Sequence, residues 1–317
     1  MNNRCLYCYK ELTEENFGYH PACSRKFFTT TVPPVLDYSN DEMVHLAQKV
    51  VQSHITVTGV QPKLSLGHKL SSDKNVPSKL TIVGVWPDYI LKPPTEFYPN
   101  LPELEDLTMH LAELAGIKTV PHTLIRLKSG ELAYLTKRID RKGKQKIHME
   151  DMCQLTEKLT EFKYKGLYEQ IGKVVGKYSE NPVLDIVAYF EQVVFCFLTG
   201  NNDMHLKNFS LIKKVGGGYN LSSAYDMVAS ELVVEGDDEE LALTLNGKKK
   251  KIKFSDFEVA MSRFEVNERA FKNIFNRFVK ALPKWQEFIE ESFLPEDMKE
   301  AYQEMLVKKF KQLGLTE

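Results

Sequence analysis

The chain has 317 residues, which at about 150 residues per domain suggests two domains or one large bilobal unit. Hydrophobic residues make up 43% and charged residues 27%, an ordinary globular balance with enough apolar mass for real cores. Lys+Arg 42 against Asp+Glu 43 leaves a net charge of −1, which excludes a globally basic nucleic-acid binder but not a local patch. The apolar run Val193 to Leu198 is far too short to span a bilayer. The opening MNNRCLYCYKELTEEN has no apolar h-region, and five cysteines, an odd number, argue against a disulfide framework. The expectation is a cytoplasmic protein in a reducing compartment.

Residues 1–29 hold Cys5, Cys8, His20 and Cys23, spaced Cys-x2-Cys-x11-His-x2-Cys. Four soft ligands so close together suit tetrahedral Zn²⁺, which would tie down a segment too short to make its own core. The competing reading is a reduced hairpin packed by Tyr7, Phe17 and Tyr19. Cys153 and Cys196 fall in expected helices and read as buried thiols. Pro33 and Pro34 mark a linker. Ser39 or Asn40 then caps a helix to about Gln52, with Asp41 and Glu42 at its positive end.

Short strands follow at Ile55–Val57, Lys63–Leu66, Lys79–Val83 and Tyr89–Lys92. A helix is expected from Glu103 to Ala115, with Leu104, Leu107, Leu111 and Leu114 as its apolar stripe and Gly116 as its stop. Strands at Thr123–Leu127 and Ala133–Thr136 complete a sheet-rich part. Helices are expected at 148–160, 165–175 and 182–199, the last buried in its second half. A polar loop, Gly200–Asn208, leads into a hairpin, Phe209–Val215 and Tyr219–Ala224, that turns at Gly216–Gly218. Asn246-Gly247 signals a second, type I′ hairpin. The basic run after it, Lys248–Lys251 with Lys253, reads as a solvated gatekeeper, with RNA contact as the sharper alternative. The last 60 residues read as two or three amphipathic helices.

The chemistry concentrates in Asn201-Asn202-Asp203-Met204-His205-Leu206-Lys207-Asn208. Asp203 and Asn208 stand five apart, as in a kinase catalytic loop, where a carboxylate takes a hydroxyl proton and an amide oxygen reaches a metal. Taken alone, such a match also fits a solvated loop. The hairpin returns Asp226 beside Asn208, where it could be a second Mg²⁺ ligand. Lys92 ends an apolar strand, and Glu105 on the next helix is placed to pair with it, the arrangement that positions phosphates. Thr56 to Lys63, with Gly59, could close over phosphates, although an ordinary turn explains it as well. No Walker motif is present.

These elements occur in kinase order. The strings TVTGVQPKLSL, YILKPP, ELEDLTMHLAELAG, HMEDMCQLT, NNDMHLKNFSL, SSAYDMVAS and LALTLNG resemble the HipA family of bacterial toxin serine/threonine kinases over roughly residues 50–300. The resemblance implies an α+β, bilobal, protein-kinase-like fold. A Cys/His knuckle (1–29) would precede a sheet-rich N-lobe (30–136) and a helical C-lobe (137–317). It implies Asp203 as catalytic base, with Asn208 and Asp226 holding Mg²⁺. Lys92, paired with Glu105, would contact the phosphates of ATP. Thr58, Gly59, Val60, Gln61, Pro62 and Lys63 would form the lid. Lys137, Arg138 and Ile139 would form the hinge under adenine, and His205, Leu206, Lys207, Asn208 and Tyr225 would complete the nucleotide pocket.

Thr56 matches the family's autophosphorylated lid position, with Thr58 two further on. The metal motif is Asp-Met-Val where eukaryotic kinases have Asp-Phe-Gly, and Lys137 replaces a residue more often acidic in relatives. Only about 50 residues precede the lid, so the chain resembles the short HipT form. There the missing subdomain is a separate HipS antitoxin acting with a helix-turn-helix HipB protein. The implied substrate is a translation protein, an aminoacyl-tRNA synthetase above all, with no direct DNA contact required and no membrane. A small-molecule kinase and a non-catalytic, nucleotide-sensing partner of a repressor are the alternatives.

Overall fold

The structure, a computed structural model, describes residues 3–13, 17–52, 62–69, 77–83, 87–143, 145–214, 216–234 and 236–316. Two compact units emerge. One comprises Met1–Asp106, Val120–Gln145 and Glu291–Leu294, the other Leu107–Thr119, Lys146–Glu290 and Pro295–Glu317.

The first unit opens with an Arg4–Glu11 bridge and helix α1 (Pro21–Phe28). Proline at the start of α1 suits a position that needs no amide donor, and Thr29, at φ 68°, ends it. Helix α2 (Asn40–Gln52) begins on a capping box: Glu42 N donates to Ser39 Oγ at 3.3 Å, and Ser39 N donates to Glu42 Oε2 at 2.7 Å. A five-stranded antiparallel sheet follows, built from β1 (Leu64–Lys69), β2 (Lys79–Ile82), β3 (Tyr89–Lys92), β4 (His122–Arg126) and β5 (Leu132–Lys137). Its order is β2-β1-β3-β5-β4. Leu64, Leu66, Leu91, Leu124 and Leu135 are buried in it. The expected strand at Ile55–Val57 lies outside the described residues.

Helix α3 (Leu101–Leu114) joins β3 to β4, and its first turns belong to the first unit. It is buried continuously from Leu104 to Ala112 rather than along one stripe, and Leu114, expected in that stripe, is exposed. Gly116, at φ 83°, ends it as expected, and Ile117 N closes back on Ala112 O at 3.0 Å. Two short strands, β6 (Arg141–Lys142) and β7 (Gln145–Lys146), pair with each other.

In the second unit, β8 (Met149–Asp151), β9 (Ser210–Lys213) and β10 (Tyr219–Leu221) form a sheet in the order β10-β9-β8. The helix expected over 148–160 is therefore corrected. Residues 149–151 pair with β9, and only α4 (Met152–Leu155) is helical, started by an Asp151–Gln154 capping box. Helices α5 (Tyr168–Tyr178) and α6 (Pro182–Leu198) follow, then α7 (Phe254–Ser262), α8 (Glu268–Glu290) and α9 (Glu296–Gln312). Every residue of α6 from Tyr189 to Leu198 is buried. Phe195 meets Trp285 edge-on at 5.6 Å, and the indole N–H donates to Leu111 O at 2.8 Å. Asn246 and Gly247, at φ 48° and 76°, make the expected two-residue turn, closed by paired bonds between Leu245 and Lys248. The basic run after it is paired locally: Lys248 with Asp256 at 2.8 Å, Lys249 with Glu239 at 2.8 Å, and Lys250 with Asp238.

Candidate active site

The first unit positions Lys92 and Glu105. The β3–β5 register sets Lys92 opposite Tyr134, and its Nζ lies 5.4 Å from the centre of that ring. Nζ reaches Glu105 Oε1 at 2.5 Å, with the two side chains 5% and 2% exposed. Burying an ammonium so deeply demands a close counter-charge, and the helix supplies it. Pro62 and Lys63 stand just before β1; Thr56, Thr58, Gly59, Val60 and Gln61 lie outside the described residues. Lys137 closes β5 with its Nζ 5.2 Å from the Phe27 ring of α1, and burial lowers its proton affinity. Arg138 grips Asp140 through two bonds of 2.9 and 2.7 Å and donates its amide to Asp88 O at 2.9 Å. Ile139 follows it, half-buried.

The second unit positions the loop after α6. Gly200 turns the chain at φ 61°, and a Cβ there would sit 2.3 Å from Met305 Sδ. Asn202 anchors the loop: its amide donates to Ser230 Oγ at 3.0 Å and its Nδ2 to Asp237 Oδ2 at 3.1 Å. Asn201 Oδ1 accepts from Asp203 N at 3.3 Å. Beyond these anchors Asp203 is half-buried, and its Oδ1 accepts from Tyr164 Oη. The Asp203 carbonyl accepts from His205 N at 2.8 Å and from Asn208 Nδ2 at 3.1 Å. The five-residue spacing thus closes on itself through a tight turn at Leu206–Asn208, pinned by buried Met204, Leu206 and Phe209. Because its Nδ2 is spent on the Asp203 carbonyl, Asn208 has Oδ1 left to accept.

The hairpin returns the chain to this loop. Leu221 pairs with Leu211, and Ser222 N donates to Ser210 O at 2.9 Å. Tyr225 Oη then donates to Lys207 O at 3.0 Å and shares a 2.5 Å hydrogen bond with Ser210 Oγ. Asp226 follows at φ 54°, in the left-handed region that few residues other than glycine occupy. His205 reports the surroundings: its pKa is lowered to about 4, chiefly by burial and also by Lys163, against the upward pull of the Asp203 and Asp226 carboxylates. Its Nδ1 is buried with no hydrogen-bond partner among the described residues, and Tyr164 meets its ring edge-on at 4.9 Å. The carboxylates of Asp203 and Asp226 thus both act on one buried imidazole, while Asn208 and Tyr225 are tied to the same loop through the Asp203 and Lys207 carbonyls.

Three contributors are not among the candidates drawn from the sequence, and of these only Asp151 carries a local signal. Tyr164 stands in a polar stretch with no signal of its own. Ser230 acts only through its hydrogen bonds to Asn202. Asp151, which pairs with Lys207 at 2.8 Å, was legible from its D-x-x-Q capping pattern. In the first unit, Cys5, Cys8, His20 and Cys23 place their ligand atoms within 4.8 Å of one another, and a carboxylate-poor, sulfur-rich set of this kind fits a soft metal.

Among known proteins, the chain is 31% identical over 246 residues to "Putative kinase Y4dM" of Sinorhizobium fredii, covering 73% of this chain and 58% of that one. It is 30% identical over 224 residues to a "Putative kinase" of Haemophilus influenzae, covering 67% and 62%. The chain therefore spans about three fifths of the length of these relatives. Among solved structures, HipA in a Shewanella oneidensis complex with HipB and operator DNA aligns with a TM-score of 0.67 at 19% identity, over 84% of this chain and 70% of that one. The Helicobacter pylori proinflammatory kinase CtkA aligns with a TM-score of 0.51 at 16% identity, over 71% and 87%. The fold is thus of the HipA and CtkA kind. The HipA-like C-terminal domain family matches residues 55–286, most of the chain, and the protein belongs to that family.

Proposed function

We propose that the chain is a serine/threonine protein kinase that transfers the γ-phosphate of ATP. The observation that carries this reading is the buried Lys92–Glu105 pair, a lysine held ready on a strand by a helix glutamate. Lys92 steadies the phosphates. Asp203 accepts the proton of the substrate hydroxyl as that oxygen bonds to the γ-phosphorus and the bond to the β–γ bridging oxygen breaks, releasing ADP, and the Tyr164 hydrogen bond orients the Asp203 carboxylate. Asn208 Oδ1 and the Asp226 carboxylate form an all-oxygen donor set that fits Mg²⁺, which would supply charge neutralisation across the phosphates. Buried, neutral His205 keeps positive charge out of this cluster near pH 7. Thr58 to Lys63 form the lid, Lys137 to Ile139 contact adenine, and His205, Leu206, Lys207, Asn208 and Tyr225 line the nucleotide pocket.

The substrate is a translation protein, an aminoacyl-tRNA synthetase first, and the outcome is growth arrest. Phosphorylation of Thr56 or Thr58 adds about −1.5 to −2 charges beside the nucleotide and would drive the lid outward. HipS-like and HipB-like proteins act as antitoxin partners, and the HipA–HipB–DNA complex of the structural relative supports the HipB-like one. The test is labelled ATP offered to proteome lysate and, separately, to a metabolite pool. Label entering protein, lost in Asp203→Ala while nucleotide binding persists, supports the proposal. Label entering only metabolites, or an Asp203→Ala chain as toxic as the wild type, overturns it.

A further inference from the structure

We propose that Cys5, Cys8, His20 and Cys23 bind one Zn²⁺, and that this ion holds the N-terminal hairpin in place against the sheet and against the second turn of α3. The site lies outside the family match at residues 55–286 and stands whether or not the kinase reading does.

The backbone shapes the ligand tip. Arg4 and Glu11 bridge in antiparallel fashion, Cys5 N donates to Lys10 O at 2.9 Å, and Tyr9 N donates to Cys5 O at 2.9 Å. Tyr9 sits at φ 60°, completing the tight turn that sets Cys5 and Cys8 side by side. The second pair comes from the start of α1: His20 is the extended residue before it, and Cys23 is in its first turn.

The side chains converge with the spacing that zinc needs. Cys8 Sγ lies 3.5 Å from His20 Nδ1, and Cys23 Sγ lies 3.9 Å from the same atom. With Zn–S near 2.3 Å and Zn–N near 2.0 Å, a tetrahedral site places S and N about 3.6 Å apart. The histidine tautomer is also set. Nε2 is 3.1 Å from Glu11 O, and a carbonyl can only accept, so the proton sits on Nε2 and the Nδ1 lone pair faces the sulfurs. The His20 amide donates to Cys5 Sγ at 3.5 Å, as an amide does to a thiolate ligand. All three cysteines are free of disulfides despite their proximity.

The hairpin has work for the ion to support. Leu6 O accepts from Leu124 N at 3.2 Å and from Thr123 Oγ1 at 2.9 Å, and Tyr19 Oη donates to Leu124 O. Tyr9 Oη donates to Asp106 Oδ2 at 2.7 Å, and the other oxygen of Asp106 is 2.7 Å from His122 Nδ1. Asp106 is the neighbour of Glu105. Zinc would therefore act at a distance, as a positioning element for the helix turn that carries the partner of Lys92.

The experiment uses the full chain, purified with reductant and without chelator. Elemental analysis should find one zinc per chain. Replacement with Co²⁺ should give the thiolate charge-transfer and intense visible bands of a tetrahedral, sulfur-rich site. Cys23→Ser and His20→Ala should each bind cobalt more than about tenfold more weakly, while Cys153→Ser leaves the spectrum unchanged. Zinc removal should lower Tm. A metal-free wild-type chain that neither takes up Co²⁺ tetrahedrally nor changes Tm on zinc addition overturns the proposal, as does a Cys5–Cys8 disulfide in the native protein. Because the cobalt spectrum is read on the wild-type chain, a variant that fails to fold leaves the outcome decisive.

Discussion

Lys92 and Glu105 are each costly to bury, and their ion pair offsets part of that cost. Removing one partner of a buried pair typically costs about 3–5 kcal/mol, whereas replacing both by apolar groups can be nearly neutral. Glu105→Ala should therefore destabilise the protein by about 3 kcal/mol or more, and Lys92→Met with Glu105→Leu by much less, as read by urea unfolding. Both should lose phosphoryl transfer, which separates the structural need for a pair from the functional need for this one. His205 gives a second test. Its pKa is lowered to about 4 in the fold, so between pH 6.5 and 4 the unfolded chain binds more protons and stability falls with pH. From pH 7 to 5.5 the wild type should lose about 1 kcal/mol more than His205→Asn. Glu103, raised to about 7 by burial, works in the opposite sense, losing stability as pH rises through that value. It contributes equally to both chains and cancels from the comparison.

At the scale of elements, local chemistry made some boundaries legible and long-range contacts hid others. α2 was readable from Ser39 and Glu42, β3 from an apolar run stopped by two prolines, and the end of α3 from Gly116, because each signal lies within a turn of the boundary it sets. α1 was missed although Pro21 marks its start, because eight residues are too few to display a helical period. β8 was missed because its partner, β9, lies some 60 residues away in the chain. The candidate site divides in the same way. The Asp203–Asn208 spacing and the return of Asp226 could be read, while the anchoring by Tyr164, Ser230 and Asp237 could not. Gly200 shows how tightly the loop is set. Gly200→Ala combines a strained φ of 61° with overlap on Met305 Sδ, and should cost more than about 1 kcal/mol. In a Met305→Ala background the same substitution should cost less, since the overlap on Sδ is gone while the strain and the 3.0 Å approach to Glu231 Cβ remain. A double-mutant cycle by thermal unfolding measures the coupling.

For the molecule as a whole, family membership rests on residues 55–286, whereas the proposed binding of nucleotide would rest on a few side chains, and the two separate experimentally. A ligand that binds only the folded state stabilises it by RT ln(1 + [L]/Kd), about 2.7 kcal/mol at one hundred times Kd. Mg²⁺-ATP should thus raise Tm by a few degrees in a chain of this size. The residues make different contributions to that shift. Asp203 is assigned to the proton of the incoming hydroxyl, so Asp203→Ala should keep the shift and lose transfer. Asn208 and Asp226 are assigned to the cation, so Asp226→Asn should lose most of the Mg²⁺-dependent part of the shift while retaining any metal-free part. Asp226 already occupies a left-handed φ, which asparagine tolerates as well as aspartate, so the substitution removes charge without forcing the backbone to move. An Asp226→Asn protein that keeps the full Mg²⁺-dependent shift would remove Asp226 from the metal site, whatever remained of the catalytic loop.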